Sequence, residues 1–150
     1  MIQYKIASTD DIEMVMQSRL EMLNAVNNLP EDYTFTEELI ANSKEYFTSG
    51  NQITVLAIDE KVVGCATMCY IDMIPTFHRP SGKIAHLMNV YTNSQYRRQG
   101  IALHILSILI NEAKEKGITK ISLDATELGR PLYEKLGFVP SDDYMILNVN

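Results

Sequence analysis

The sequence predicts a single α/β domain in which helices cover a mixed sheet, with elements in the order β-α-α-β-β-β-α-β-α-β. Three observations support this reading. The length, 150 residues, suits one hydrophobic core and not two. Along the chain the apolar spacing switches between a period of two and a helical period. Cap and turn residues stand where it switches.

Residues 2–6 alternate apolar and polar and form a first strand. Ser8-Thr9-Asp10-Asp11 offers N-caps to a helix carrying Ile12, Val15, Met16, Arg19, Leu20 and Leu23 along one side. Asn27-Asn28-Leu29-Pro30 breaks it. A second helix starts near Thr36, whose hydroxyl suits a cap, and ends at Ser49-Gly50. The β-rich runs 53–58 and 61–70, joined at Asp59-Glu60, read as a hairpin. Residues 74–82, with two prolines and a glycine, form a loop, and Lys83–Thr92 is a long strand. From 100 to 116 the pattern is helical, with Ala102, Ile105, Leu106, Leu109 and Ala113 as its apolar stripe. His104, Ser107, Asn111 and Lys114 line the other side. Gly117 ends this helix, and 118–123 is a short strand. Residues 127–136 form a helix closed by Gly137, and 144–149 a final strand.

Hydrophobic residues make up 46% of the chain and charged residues 21%, a globular balance that excludes a disordered chain. The net charge of -6 repels a phosphate backbone, so no nucleic-acid partner is expected, and it would suit a cationic amine. No apolar run of about 18 residues is present, so no membrane partner is expected. Acidic residues stand in MIQYKIASTDD where a secretory signal would carry its apolar stretch. Cys65 and Cys69 lie on one strand, their Cα atoms roughly 13 Å apart, too far for a disulfide. No Cys or His pair follows at ligand spacing, so no metal is expected. The expectation is a reduced, cytoplasmic, metal-free protein.

The chemistry is concentrated in 89–102. There a strand runs through a donor-rich loop, Asn93-Ser94-Gln95-Tyr96-Arg97-Arg98-Gln99, into a helix start at Gly100-Ile101-Ala102. Unpaired N–H groups at a helix start attract phosphate. Gly100 and Ala102 would let a pyrophosphate approach, and Arg97 and Arg98 add positive charge. By local physics alone this segment is equally an ordinary strand–loop–helix connection.

Arg97-x-x-Gly100-x-Ala102 resembles the acetyl-CoA loop of the GNAT superfamily of N-acetyltransferases, Gln/Arg-x-x-Gly-x-Gly/Ala. Leu132-Tyr133-Glu134-Lys135-Leu136-Gly137-Phe138 resembles that superfamily's C-terminal signature, one helix and one strand further on. The text Asn89-Val90-Tyr91-Thr92 with Asp124-Ala125-Thr126-Glu127-Leu128-Gly129-Arg130-Pro131 is similar to bacterial members.

The resemblance implies a GNAT-like fold with a mostly antiparallel sheet, acetyl-CoA as cosubstrate and an amine as acceptor. It puts Val90, Tyr91 and Thr92 along the pantetheine arm, their N–H groups near the acetyl carbonyl, and Arg97, Arg98, Gln99, Gly100, Ile101 and Ala102 around the pyrophosphate. Tyr133 takes the position of a tyrosine proposed to protonate the CoA thiolate; otherwise it is an aromatic packing the last helix. His86, eleven residues ahead of Arg97, is the candidate general base, against a structural histidine or a water chain. Thr126 stands where the family often has an asparagine on the pantetheine, and Arg130 and Lys135 are in reach of the phosphates. Asp124 is a candidate for the acceptor cleft; His78 and His104 are expected at the surface.

The acceptor side falls to the first two helices and residues 73–79. Arg19, Glu21, Asp32 and Tyr33 there are each read as surface residues, and Met14, Met16 and Met22 as core or groove filler. The first reading is transfer of acetyl to a primary amine of a small molecule by direct attack in a ternary complex. The alternatives are a protein or peptide N-terminus as acceptor, or an acyl-CoA-binding module without catalysis. The protein is a monomer or a homodimer in this reading, the latter paired through the final strand.

Overall fold

The computed structural model describes residues 1–141 and 143–149. Its sheet has five strands in sequential order: β1 (Gln3–Ile6), β2 (Gln52–Asp59), β3 (Lys61–Asp72), β4 (Lys83–Thr92) and β5 (Ile121–Leu123). β1 to β4 pair antiparallel, and β5 joins β4 in parallel. The helices are α1 (Ile12–Val26), α2 (Glu37–Thr48), α3 (Ile101–Glu115) and α4 (Arg130–Lys135), with 3-10 turns at Thr9–Asp11 and Ser94–Tyr96.

Short-range chemistry sets the element ends. Asp11 accepts from the Ser8 N–H at 2.9 Å, from its hydroxyl at 3.2 Å and from Lys5 Nζ at 2.8 Å, which ties β1 to the start of α1. The Lys5 bond, followed by the Ser8 N–H, holds the Asp11 carboxyl below the usual carboxylate range. Thr36 caps α2 through its hydroxyl, which accepts from the Leu39 N–H at 3.1 Å. The hairpin closes at Asp59↔Lys61, with Glu60 at φ 64 in the turn.

β3 is buried along most of its length because helices cover both of its faces. On one face Val55, Ala57, Val63, Ala66, Met68 and Leu87 pack against Ile105, Leu106, Leu109 and Ala113 of α3. On the other, Leu56 and Cys65 meet Val15 of α1, with Met14 and Phe47 at the margin. Cys65 and Cys69 are free and buried, as their shared face predicts. Among the described residues no helix is long and apolar enough to cross a membrane.

Three expectations change. Ile101, 2% exposed, takes the first core position of α3, and Ala102 is only half-buried. The last helix is shorter than expected, because Thr126 uses its hydroxyl to accept from the Gly129 N–H at 3.1 Å and holds the preceding residues in a turn. The strand expected over 144–149 does not form among the described residues: the segment lies outside the sheet, with Met145 94% and Leu147 84% exposed. Its apolar pattern suits a strand, but a strand also needs an edge to pair with, and it lies on none.

Candidate functional site

β4 and β5 part company. Their last register pair is Leu87↔Leu123, yet β4 continues to Thr92, so the 88–92 backbone is unpaired on that side. β5 is too short to follow. β4 also bulges: between Thr67↔Met88 and Cys65↔Tyr91 it holds two residues, Asn89 and Val90, opposite Ala66 alone. Asn89 absorbs the extra residue with φ 61. Its buried amide donates to Thr67 Oγ1 at 3.1 Å and accepts from Arg19 Nη1 at 3.2 Å. The Thr67 hydroxyl in turn shares a 2.8 Å bond with that of Thr54.

The loop after β4 is tied down at several points. The Asn93 N–H donates to Val63 O at 2.8 Å, and the Asn93 side chain accepts from the Gln95 N–H at 3.0 Å. The Tyr96 hydroxyl donates to Asp59 Oδ2 at 2.9 Å, a bond that pushes the phenol up. Arg97 Nε reaches Thr92 O at 3.4 Å. Arg97, Arg98, Gln99 and Gly100 are all exposed. Gly100 caps α3 in the left-handed region, at φ 79, with open space where a side chain would stand. α3 comes this close to the sheet because Gly64 lacks a side chain: a Cβ there would stand 3.1 Å from Ile101 Cγ2 and 3.2 Å from Tyr91 O. The free N–H groups of the first turn of α3 therefore open beside the end of β4. Ile101, whose side chain fills the core, has only its backbone to offer a ligand.

His86 lies across β3–β4 from Cys69, which faces Arg19 of α1 and Tyr46 of α2. It therefore sits on the α1–α2 face. Its Nδ1 shares a 2.7 Å bond with Ser122 Oγ, and its Nε2 is 3.6 Å from Asp124 Oδ2. Tyr133 occupies the opposite face, half-buried against the α3 core with its ring edge-on to Phe138. Burial pushes its phenol above the ordinary tyrosine range. Thr126, expected at a ligand, spends its hydroxyl on the turn before α4. Arg130 is exposed and 4.0 Å from Glu134.

Of two α1 residues expected at the surface, Arg19 proves otherwise and Glu21 is exposed as expected. Arg19 is half-buried and reaches into the bulge. Glu21 lies against the Tyr91 phenol, which burial first, and then Glu21, pushes up. The signal for Arg19 was available, since a cation stands on the apolar stripe of α1. Glu21, Leu20, Asn24, Glu31, Tyr33 and Phe35 line a cavity of about 400 Å³ beside α1. Asp32 is exposed at its margin. His78 and His104 are exposed as expected, His104 stacked 3.9 Å from the Tyr4 ring.

Residues 14–138 match the model of the acetyltransferase (GNAT) family. A predicted acetyltransferase of Clostridium acetobutylicum, solved with acetyl-CoA, superposes with a TM-score of 0.85 at 31% identity, over 99% of this chain and 96% of that one. The glucosamine 6-phosphate N-acetyltransferase of Trypanosoma brucei brucei is 30% identical over 89 residues, 59% of this chain and 58% of its own length. A protein of the same description from Dictyostelium discoideum is 25% identical over 140 residues, 91% of this chain and 84% of its own. The matched stretch thus spans less than two thirds of the trypanosome enzyme.

Proposed function

We propose that this chain, which belongs to the acetyltransferase (GNAT) family, is one acetyl-CoA-dependent acetyltransferase domain that acetylates a primary amine of a small molecule by direct attack in a ternary complex. The observation that carries this reading is the parting of β4 from β5 beside the open N-terminus of α3. Free backbone at 88–92 can pair with an amide-bearing arm as a further strand would. In this reading Val90, Tyr91 and Thr92 take the pantetheine, and the N–H groups of the bulge point at the acetyl oxygen. The pyrophosphate rests on the N–H groups of Gly100, Ile101 and Ala102, with Arg97, Arg98 and Gln99 around it. Arg130 lies further off, its charge shared with Glu134, and Thr126 contributes backbone contacts only.

The amine must lose its proton before or during attack, and the departing thiolate must gain one. His86 and Tyr133 suit these roles because they lie on opposite faces of the sheet, one on the α1–α2 side and one on the α3 side. His86 takes the amine proton on the acceptor side, with Asp124 oriented to stabilise the imidazolium. Tyr133, a phenol that holds its proton at neutral pH, gives it to sulfur. The nitrogen–carbonyl bond forms and the carbon–sulfur bond breaks, and water then carries the His86 proton to bulk and returns one to the Tyr133 phenolate. The cavity of about 400 Å³ beside α1 has the size of a small-molecule site and favours a compact acceptor over a polypeptide. An aminosugar phosphate, the substrate named for two of the relatives, belongs on the first acceptor panel.

The test is calorimetric titration with acetyl-CoA, with NAD and ATP as controls, followed by thiol release across an amine panel. Selective acetyl-CoA binding with amine-dependent release is expected. Absence of acetyl-CoA binding would overturn the reading.

A further inference from the structure

We infer that Arg19 and the β4 bulge form an anion subsite in the acceptor cleft, so that the acceptor is a compact amine carrying a carboxylate or a phosphate. This rests on the acetyl-transfer reading above. Arg19 projects from the apolar side of α1, half-buried, with Cys65 and Cys69 as neighbours. Among the described residues no carboxylate lies within 4.0 Å of its guanidinium; the ion pairs formed elsewhere engage Lys5, Lys44, Lys83, His86, Arg130 and the N-terminus. Its side-chain partner is the neutral amide oxygen of Asn89, at 3.2 Å.

Burial weakens the hold of this guanidinium on its proton, the sign of a cation stripped of water without a counter-charge. A cation in that state is expensive to keep for structure alone. The Asn89 amide is already fixed by Thr67, and a neutral donor would satisfy its oxygen equally well. What a neutral residue would not supply is a fork of donors for an incoming acid.

The position favours such a ligand. Asn89 immediately precedes Val90, where the acetyl carbonyl is proposed to lie, and His86 occupies the same face of β4. An acid held by Arg19 would bring a nearby amine to the carbonyl and to the base together. Glu21 and Glu31 in the wall of the neighbouring cavity repel an anion there and attract an ammonium, which confines the acid to the Arg19 end. A cation at the bulge and carboxylates in the separate cavity beside α1 together complement an amine that carries its own acid.

The experiment compares paired acceptors in acetyl-CoA-dependent thiol release: an α-amino acid with its primary amide, and an aminosugar phosphate with the free aminosugar. The wild type is expected to favour the acid of at least one pair by about tenfold or more in kcat/KM, expressed in KM, as a lost charge-assisted bond would be. Which pair responds tells carboxylate from phosphate. Arg19→Gln is expected to raise KM for the acid about tenfold more than for its neutral partner, and Arg19→Lys to recover part of the preference. Equal use of both members by the wild type would overturn the inference, as would an Arg19→Gln loss shared equally by both, which marks Arg19 as a brace for the bulge. Acetyl-CoA binding is titrated separately on each protein. If the wild type binds no acetyl-CoA, the transfer reading and the subsite fall together; if it binds and transfers without preference, only the subsite falls.

Discussion

His86 on β4 stands 3.6 Å from the Asp124 carboxylate through Nε2, while Nδ1 shares a 2.7 Å bond with Ser122. His86 and Ser122 are register partners near the end of the β4–β5 pairing, and Asp124 follows its last pair, Leu87↔Leu123. The register pair His86↔Ser122 therefore fixes the imidazole ring against β5, one residue before the pairing ends. If His86 is the base, His86→Gln should lower kcat by about a hundredfold, within the usual range for a general base, and leave the acetyl-CoA Kd within about twofold. Asp124→Asn should cost less, because it removes only the stabilisation of the imidazolium. Rates within about twofold of wild type for His86→Gln would transfer the role to water.

Tyr133 is positioned partly by Gly129. A Cβ at Gly129 would stand 2.8 Å from Tyr133 Cε2, so Gly129→Ala must push the ring away. Tyr133→Phe removes the proton and keeps the packing; Gly129→Ala keeps the proton and misplaces it. Both should slow turnover by about tenfold or more while acetyl-CoA still binds. Full activity of both variants would leave Tyr133 as a packing residue only.

At Gly100 strain and charge can be separated. The residue sits at φ 79 with nothing within 4 Å of a built Cβ, so a side chain meets backbone strain but no clash. Asn tolerates that region best after Gly. Gly100→Asn should retain most acetyl-CoA affinity, whereas Gly100→Asp, adding a negative charge at the start of α3, should lose about tenfold or more. Affinity should also fall as salt rises, since Arg97 and Arg98 are exposed. Equal affinity of the two variants, measured by calorimetry, would mean that no phosphate lies there.

Much of this architecture is legible in local pattern. The strand at Lys83–Thr92, the Thr36 cap and the Gly100 helix start all follow from residues within a few positions of one another. What local pattern does not carry is pairing over distance. Asn89 lies in a strand by its neighbours, but its bulge and its bond to Arg19, 70 residues away, depend on how α1 lies over β4. The opening of the sheet depends on β4 running on past the end of β5; the apolar run at 118–123 gives that end at Leu123 and overstates only the start, but says nothing of which β4 residues it pairs with. Residues 144–149 show the opposite failure, a strand-like pattern that pairs with neither edge of the sheet.

Alkaline stability follows from Cys65. Burial pushes its thiol from 9.0 up to about 11. The unfolded chain then releases this proton before the folded one does, so the unfolded state binds fewer protons and stability falls as pH rises. The contribution is complete below about 9 and is lost between about 9 and about 11, at most ~3 kcal/mol in size. Cys65→Ala should flatten this part of the profile in denaturant titrations at stepped pH. An unchanged slope would show that the thiol ionises equally well in the folded protein.

The most solvent-exposed apolar run of the chain is also the one least able to stay alone. Tyr144, Met145, Ile146, Leu147 and Val149 are 70–94% exposed and carry no charge that would keep them in water. At the far side of the sheet β5 is an edge strand, with Ile121 and Leu123 only half-buried. Each copy thus offers a tail without an edge and an edge without a tail, and a two-fold pair satisfies both. The chain is expected to dimerise through the tail of one copy on β5 of the other. Removal of residues 144–150 should give a monomer in light scattering, and Leu147→Lys should weaken the dimer by setting a charge in the contact. A cross-link between cysteines introduced at Leu147 and Ser122 should join two chains. A wild-type chain that stays monomeric at high concentration would rule this contact out.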